Sequence, residues 1–266
     1  MRTLTLFTLT ATLALVKGYY VTQLDPVPSR RDRLRAATKA EIVETARKLL
    51  VSDGLTGVTL RAIGRDMGMT APALYRYYDS LDTLLESLCA ALFDECTAFI
   101  ESRTATDEGP LGRLAAACRA FRDWSLVHPA EFGIMFASPV DASGPFTVMH
   151  APDNQVHAAA MRFSGTYLAL VVEVWQAAPF PVPATESMPR GLREQLTTFL
   201  AQTGADLPPG AGQIFLSCWI RLFGMVALEL FGHLRFALID AEAMFETELM
   251  SCARLLGLVI ALPADD

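Results

Sequence analysis

The chain has 266 residues, of which 52% are hydrophobic and 19% are charged, and its formal net charge is −7. The charge is divided unevenly, because residues 29–80 contain ten Arg or Lys against six Asp or Glu, whereas residues 81–266 contain ten against twenty-two. A basic end on an acidic body indicates phosphate binding confined to that end and argues against it elsewhere. The length allows a small head and one further domain of ordinary size.

Residues 1–28 precede this basic segment. Their apolar stretch, residues 3–16, contains five threonines and is shorter than the roughly twenty residues of a membrane span. No convincing small-x-small cleavage site precedes Gly18. We therefore expect a disordered extension, separated from the rest by a Pro-containing segment at residues 25–29. A weak interfacial anchor is the alternative, and it is open whether this extension belongs to the native protein.

Three short helices are predicted in the basic segment, residues 29–88. Thr38 and Glu41 have the spacing of a capping box, which predicts that the first helix begins at Thr38 and ends near Gly54. Thr59 is the predicted cap of a second helix, residues 60–67, with Gly68 as its stop. Thr70 is the predicted cap of a third helix that carries Pro72 in its first turn.

The second and third helices form a predicted helix-turn-helix, whose second helix presents its N-terminal residues to the edges of DNA bases. Because Ala71, Pro72 and Ala73 are small, hydrogen-bonded readout of bases is assigned to Thr70 and Arg76. Phosphate contacts are assigned to tyrosine hydroxyls and helix N-termini. The predicted DNA-binding residues are Thr59, Arg61, Thr70, Ala71, Pro72, Ala73, Tyr75, Arg76 and Tyr77. Capped helical hairpins also occur in proteins that bind no DNA, and the positive charge favours the DNA-binding interpretation.

Residues 38–88 resemble the DNA-binding head of the TetR family of transcriptional regulators. The resemblance is carried by Thr59 to Gly64, by Gly68-Met69-Thr70 and by Leu74 to Ser80, followed by Asp82 and Leu84-Leu85. It implies an all-α homodimer whose two heads bind half-sites of a double-stranded DNA operator. It also implies a C-terminal helical domain, residues 89–266, for ligand binding and dimerisation.

Two positions depart from the family pattern. Leu81 stands where the family usually has a lysine that contacts phosphate, so we expect that anchor to be missing or replaced, for example by Arg30, Arg31, Arg33 and Arg35. Gly64 replaces the usual alanine, and we expect this change to loosen the second helix slightly.

The body is predicted to consist of helices separated by Pro and Gly. We expect helices at about residues 80–103, 111–127, 129–136, 153–177 and 192–200, followed by two closing helices. The first closing helix, residues 213–231, is apolar enough to consider a membrane span, but Arg221 and Glu229 lie within it, which favours burial against other helices.

The last helix carries apolar residues at alternating steps of three and four, a pattern that packs one helix against another. We interpret the two closing helices as the dimer interface, although an ordinary intramolecular contact is the alternative. The predicted interface residues are Trp219, Phe245, Leu249, Cys252, Leu256 and Val259.

A second resemblance covers about half of the body. Residues 128–136 and 219–230 are similar to the C-terminal domain of this family that is named for a Trp-His-Gly signature. Phe223 takes the place of the histidine, so any hydrogen bond or titration of that group should not be assumed here.

No enzyme, metal site or cofactor is expected. The five cysteines form no Cys-x-x-Cys pair, and the four histidines lack the spacing of a helical metal pair. We expect reduced, buried, cytoplasmic thiols, with Cys89 and Cys96 seven residues apart as a weak indication of redox or metal sensing. A nucleophile with a neighbouring base is also not visible, so we do not expect catalysis.

A small lipophilic ligand is expected to bind the body and release the head from DNA, which makes the chain a predicted repressor. Arg122, His128 or His157 is the expected polar anchor, and an ordinary core is the alternative interpretation of the aromatic residues. The predicted pocket residues are Phe121, Trp124, His128, Phe163, Tyr167 and Trp175. The alternative function is a constitutive DNA-binding regulator that binds no small molecule and acts through protein partners.

Overall fold

A computed structural model describes residues 29–105, 109–136 and 154–258. Residues 1–28 lie outside these ranges, and so does the predicted interface residue Val259. No strand occurs in the described ranges, which confirms the all-α class. Ten α-helices are present there: α1 Arg30–Asp53, α2 Leu60–Met67, α3 Ala71–Leu74, α4 Leu81–Thr104, α5 Gly109–Val127, α6 Pro129–Phe136, α7 Gln155–Ala177, α8 Arg190–Thr203, α9 Pro209–Leu230 and α10 Glu242–Leu255.

The described residues divide into two units, one of residues 29–41 and one that begins at Ile42. Helix α4 continues without a break through residue 88, where the sequence predicts the end of the head. Each unit is described separately below.

In the first unit, α1 begins eight residues earlier than the capping-box pattern at Thr38 predicts. The side chain of Ser29 accepts a hydrogen bond from the Asp32 N–H at 3.2 Å and donates to the Asp32 carboxylate at 2.6 Å. Thr38 lies inside the helix, where its hydroxyl donates to the Leu34 carbonyl at 3.0 Å. A threonine can make this backward bond within a helix, so its capping ability does not require a helix start.

In the second unit, the helix-turn-helix agrees with the predicted bounds and stops. The Thr59 hydroxyl accepts from the Ala62 N–H at 3.1 Å, which caps α2, and Gly68 ends α2 in the left-handed conformation with φ of 64°. Ser80 and Thr83 exchange side-chain-to-backbone hydrogen bonds at 3.1 and 3.2 Å and so start α4.

Helix α4 continues from the head into the body, where it packs most extensively against α5 and α7. Helix α9 packs against α5, α8 and α10, so the closing helices cover one side of this three-helix layer. A single apolar core extends through the unit from Ile42 in α1 to Leu256 after α10. The body is therefore continuous with the head through α4.

Helix α9 is the one helix in the described ranges that is long and apolar enough to cross a membrane by length and composition. Its Glu229 forms a two-point ion pair with Arg122 of α5 at 2.7 and 2.8 Å, and both side chains are largely buried. Its inner side packs against α5, α8 and α10, and 39% of the apolar window is buried inside the single chain.

Candidate functional site

Helix α3 packs against α2 through apolar side chains. Ile63 of α2 and Leu74 of α3 are almost fully buried, and Val58 and Tyr78 belong to the same core. Burial raises the pKa of the Tyr78 hydroxyl, and a hydrogen bond with Ser87 acts in the opposite direction. Leu74 is therefore the buried residue of α3, whereas Ala71 and Pro72 are exposed and Ala73 is half-buried.

Gly64 permits the close approach of α2 to the turn before α3. A Cβ atom at this position would lie 2.8 Å from the Met69 carbonyl oxygen and 3.3 Å from a methyl group of Leu74. The Met69 N–H also donates to the Gly64 carbonyl at 2.8 Å. The expectation that glycine merely loosens α2 is therefore incomplete, since the missing side chain leaves room for the turn.

Most of the predicted DNA-binding side chains lie at the surface, and Tyr75 is 53% exposed. Ala73 and Tyr77 are half-buried, and Tyr77 packs against the core. The exposed members of the predicted set are Thr59, Arg61, Thr70, Ala71, Pro72, Tyr75 and Arg76. Between Thr70 and Arg76, the structure therefore leaves a threonine, two small residues, a tyrosine and an arginine exposed.

The cap that the sequence predicts at Thr70 is not formed. Thr70 precedes α3, but its side chain makes no cap hydrogen bond, and its backbone carbonyl accepts from Ala73 and Leu74 instead. Helix α3 has four residues, and hydrogen-bonded turns continue to Tyr78. Leu81 is half-buried and packs against the core, so it has a packing role where a phosphate-binding lysine is usual.

Arg47 joins α1 to the body through two carboxylates, a connection that the sequence does not indicate. Its Nε donates to Glu131 of α6 at 3.0 Å, and its two terminal nitrogens donate to Glu95 of α4 at 2.6 and 3.1 Å. The Glu131 side chain is only 5% exposed. The sequence shows a charged residue on each helix, but it cannot show that three distant helices place those charges together.

An apolar cavity of about 50 Å³ lies between α5, α7, α9 and α10. Of the predicted pocket residues, Phe121 and Tyr167 line it, and the Tyr167 hydroxyl donates to the Ala117 carbonyl at 3.3 Å. Its lining residues are Leu111, Leu114, Ala115, Cys118, Phe121, Tyr167, Val171, Phe215, Cys218, Trp219, Leu222, Phe223, Leu249, Cys252, Ala253 and Leu256. Five of these come from α9, which the pocket prediction does not include.

The other predicted pocket residues do not line this cavity. Trp124 stacks on His128 at 4.7 Å between ring centroids, and Trp175 packs edge-on against Phe180 at 5.0 Å. Phe163 belongs to the aromatic core, where it contacts Phe121 at 5.6 Å. The alternative interpretation of these aromatic residues as core therefore fits Phe163, Trp124 and Trp175.

The expected polar anchors also lie elsewhere. Arg122 pairs with Glu229 and lies over the ring of Phe245 at 5.4 Å. Neither His128 nor His157 is among the residues that line the cavity. The cavity wall is therefore almost entirely apolar, apart from the tyrosine and three thiols.

The residues predicted for the dimer interface, here called the buried seam, face the interior of one chain where the structure describes them. Phe245, Leu249, Cys252 and Leu256 are between 1% and 6% exposed, and Trp219 is half-buried in the cavity wall. The alternating pattern identifies the packed side of α10, but the pattern cannot tell whether the partner helix belongs to the same chain. Within the single chain, the helix that carries most of these residues packs against α5 and α9.

Comparisons with known proteins agree with this architecture. Residues 42–88 match the profile of bacterial regulatory proteins of the tetR family, and residues 114–251 match the tetracyclin repressor-like C-terminal domain. The C-terminal match includes residues 128–136 and 219–230, the two segments that resemble the domain with the Trp-His-Gly signature.

Among relatives, the chain is 28% identical over 214 residues to the HTH-type transcriptional regulator Rv1816 of Mycobacterium tuberculosis, covering 78% of this chain and 86% of the relative. Among solved structures, regulatory protein SCO4313 superimposes with a TM-score of 0.65 at 26% identity, covering 85% and 98% of the two chains. RolR in complex with resorcinol shares the fold, with a TM-score of 0.51 at 14% identity over 85% and 90%. The matched head and the matched C-terminal domain together show that the chain belongs to the TetR family of transcriptional regulators.

Proposed function

We propose that this TetR-family regulator is a cytoplasmic repressor that binds an operator as a homodimer and is released by a small lipophilic ligand. The observation that carries the DNA-binding part is the set of exposed side chains at and around α3, which are Thr70, Ala71, Pro72, Tyr75 and Arg76. Ala71 and Pro72 allow close approach to base edges, while Thr70 and Arg76 supply hydrogen-bond donors. Tyr75 and the N-terminus of α2 at Thr59 supply phosphate contacts that position the head.

The charge of the head supports this assignment. Residues 29–80 are net positive on a chain whose remaining residues are strongly acidic. Arg30, Arg31, Arg33 and Arg35 are all exposed on the first turns of α1. We assign them to additional phosphate contacts in place of the lysine that Leu81 replaces, since Leu81 is committed to packing.

A DNA-binding assay tests the head. We first select bound fragments from genomic DNA and then compare Tyr75→Phe and Arg76→Ala with the wild type on the selected fragment. Each variant is expected to bind about tenfold more weakly, because each loses a hydrogen bond at the reading surface. Arg190→Ala is the matched control, since it removes the same charge from an 83% exposed side chain in the body. Unchanged binding by both head variants would refute the assignment.

The ligand-binding part rests on the apolar cavity. Phe121, Tyr167, Trp219 and Phe223 surround it with rings, and we propose a flat, apolar or aromatic small molecule as its occupant. RolR, which shares this fold, has been solved with resorcinol. The volume of about 50 Å³ implies that the helices move apart when the occupant enters.

A thermal-shift screen of small aromatic molecules tests this proposal. A compound that raises the melting temperature should also reduce operator binding. Ala253→Leu is expected to abolish both effects, because it places a larger side chain in the cavity wall. Ala243→Leu, on the exposed side of the same helix, is expected to leave both unchanged. A compound that acts equally on all three proteins binds somewhere else.

A constitutive DNA-binding regulator is the second candidate function. The small volume of the cavity favours it, since ligand pockets usually measure about 300–1,000 Å³. Under this hypothesis the cavity stays closed, and no compound changes both stability and operator binding. The thermal-shift screen therefore separates the two functions.

We propose that dimerisation uses the outer side of α9 instead of the buried seam. Ile220 and Leu228 are 68% and 44% exposed there, and Gly224 between them has open space beside it. These residues are four apart and share one side of the helix, with Ser217 one turn before them. Small residues between apolar ones allow two helices to approach closely, which suits a second copy of the same helix.

A further inference from the structure

Three thiols from three helices meet at the wall of the cavity. Cys118 of α5, Cys218 of α9 and Cys252 of α10 all line it, although each is buried from bulk solvent. Cys89 and Cys96, which their spacing in the sequence singles out, lie on α4 and do not line this cavity. The cysteine cluster therefore differs from the pair that sequence spacing indicates.

Two of these cysteines are in direct contact. The Cys218 thiol donates to the Cys252 carbonyl oxygen at 3.9 Å, and the two thiols are close enough for each to shift the pKa of the other. Their helices pack directly against each other. A bond between the two sulfurs would therefore link two elements that are already adjacent.

The surroundings make the two thiols chemically unequal. The hydrogen bond from Cys218 lowers the pKa of Cys252, and the positive charge of Arg221 acts in the same direction, against burial and Glu248. The same hydrogen bond and burial raise the pKa of Cys218. Burial raises the pKa of Cys118 to about 12. Since the thiolate is the reactive form, the lowered pKa favours Cys252 over Cys218 as the nucleophile.

We propose that Cys252 and Cys218 form a dithiol that small hydroperoxides oxidise to a disulfide. The cavity volume suits this substrate, because about 50 Å³ accommodates a molecule of the size of one or a few waters without moving the walls. Neither the thiol chemistry nor its detection depends on DNA binding, so this inference goes beyond the proposed function.

The reaction balances with hydrogen peroxide as the oxidant. The Cys252 thiolate attacks one peroxide oxygen, the S–O bond forms, the O–O bond breaks, and the departing hydroxide takes up the proton released by Cys252 to become water. The Cys218 sulfur then attacks the sulfenic sulfur, the S–S bond forms, and hydroxide leaves with the Cys218 proton as the second water. Two thiols are oxidised, and one peroxide is reduced to two waters.

Mass spectrometry of the full-length, reduced protein tests the proposal. The protein is treated with hydrogen peroxide, unfolded in an alkylating agent and digested. We expect a loss of two hydrogen atoms per chain and a peptide pair joined through Cys218 and Cys252. This measurement on the wild type needs no variant to fold.

Variants identify the two roles. Cys252→Ser should abolish the cross-link, whereas Cys218→Ser should leave Cys252 as a sulfenic acid that a cyclic dione reagent traps. Cys89→Ser is the matched control, because it removes another buried thiol that lies away from the cavity, and it should cross-link at the wild-type rate. Full alkylation of both thiols after treatment, or a cross-link through Cys118, overturns the proposal.

Discussion

At the residue scale, the ion pairs of Arg47 are the clearest link between α1 and the body. Glu131 is nearly buried, and Arg47 is the partner that compensates its charge. We predict that Arg47→Ala lowers the free energy of unfolding by about 3 kcal/mol, because it leaves a buried carboxylate without its cation. Chemical denaturation measures the difference.

Lys48 provides the matched control for Arg47. Its side chain is 73% exposed, and its contact with Glu44 is 3.8 Å long, so Lys48→Ala should change stability by less than about 0.5 kcal/mol. The double variant Arg47→Ala with Glu131→Leu should recover part of the loss, because no buried charge then remains. Equal stability of Arg47→Ala and Lys48→Ala would show that the ion pairs of Arg47 with Glu95 and Glu131 do not stabilise the fold.

We predict that Glu246 makes a pH-dependent contribution to the stability of the folded state. Its two-point hydrogen bond with Arg119, at 2.7 Å for both contacts, lowers the pKa of the Glu246 carboxyl. A lowered pKa in the folded state adds stability above the ordinary glutamate pKa, and that stability is lost as the pH falls through the lowered value. Glu246→Gln should therefore be less stable than the wild type at pH 7, by less than about 1 kcal/mol because both side chains are partly exposed.

Melting curves of the wild type and Glu246→Gln across acid pH check this sign. The difference in melting temperature between the two proteins should decrease as the pH is lowered. A difference that increases would contradict the lowered pKa of Glu246.

Residue-level prediction from sequence succeeds where the chemistry is local. Thr59 caps α2, and Gly68 ends it, because each depends on neighbours within a few residues. The partners of Arg47 and Arg122 are 48 to 107 residues away in sequence, so no local pattern specifies them.

At the scale of elements, the start of α9 depends on a glycine. A Cβ atom at Gly210 would lie 2.5 Å from the Pro183 carbonyl oxygen and 3.0 Å from the Val182 Cβ. We predict that Gly210→Ala lowers stability by about 1–3 kcal/mol, since the backbone of one segment must move. Thermal unfolding measures the loss.

Gly165 is the corresponding control. It lies within α7, and a Cβ atom added there would have no other atom within 4 Å. Gly165→Ala should leave stability unchanged or raise it by up to about 1 kcal/mol, because alanine favours the helix. Similar losses in both variants would mean that the close approach at Gly210 has no special role.

The elements themselves are largely predictable because capping and periodicity are local signals. Helix α2 has the predicted bounds, while α1 begins at Arg30 because Ser29 and Asp32 supply a cap ahead of the pattern at Thr38. The pocket is less predictable, since its wall combines four helices and depends on which side of α9 faces inward.

At the scale of the whole molecule, the outer side of α9 is the proposed contact between two copies. Ile220→Glu with Leu228→Glu should give monomers that keep their helical content, because both side chains are exposed in the single chain. Met161→Glu is the control, since it places a charge on a 39% exposed position of α7. Light scattering gives the mass of each protein in solution.

Leu249→Asp distinguishes the two proposed surfaces. Leu249 is 6% exposed within one chain, so a carboxylate there should destabilise the fold rather than merely separate two copies. If Leu249→Asp gives a folded monomer while Ile220→Glu with Leu228→Glu stays dimeric, the interface includes Leu249 and not the outer side of α9.

The small volume of the cavity has a consequence for gene control under the proposed function. Expanding a space of about 50 Å³ to the volume of a typical bound ligand would separate packed aromatic rings, so the expanded form would be a minor population without an inducer. In such a repressor, the apparent affinity for the inducer is lower than the intrinsic affinity, because only a small fraction of the protein has the expanded cavity. Background transcription then stays low, and the promoter responds only when the inducer accumulates well above its intrinsic dissociation constant.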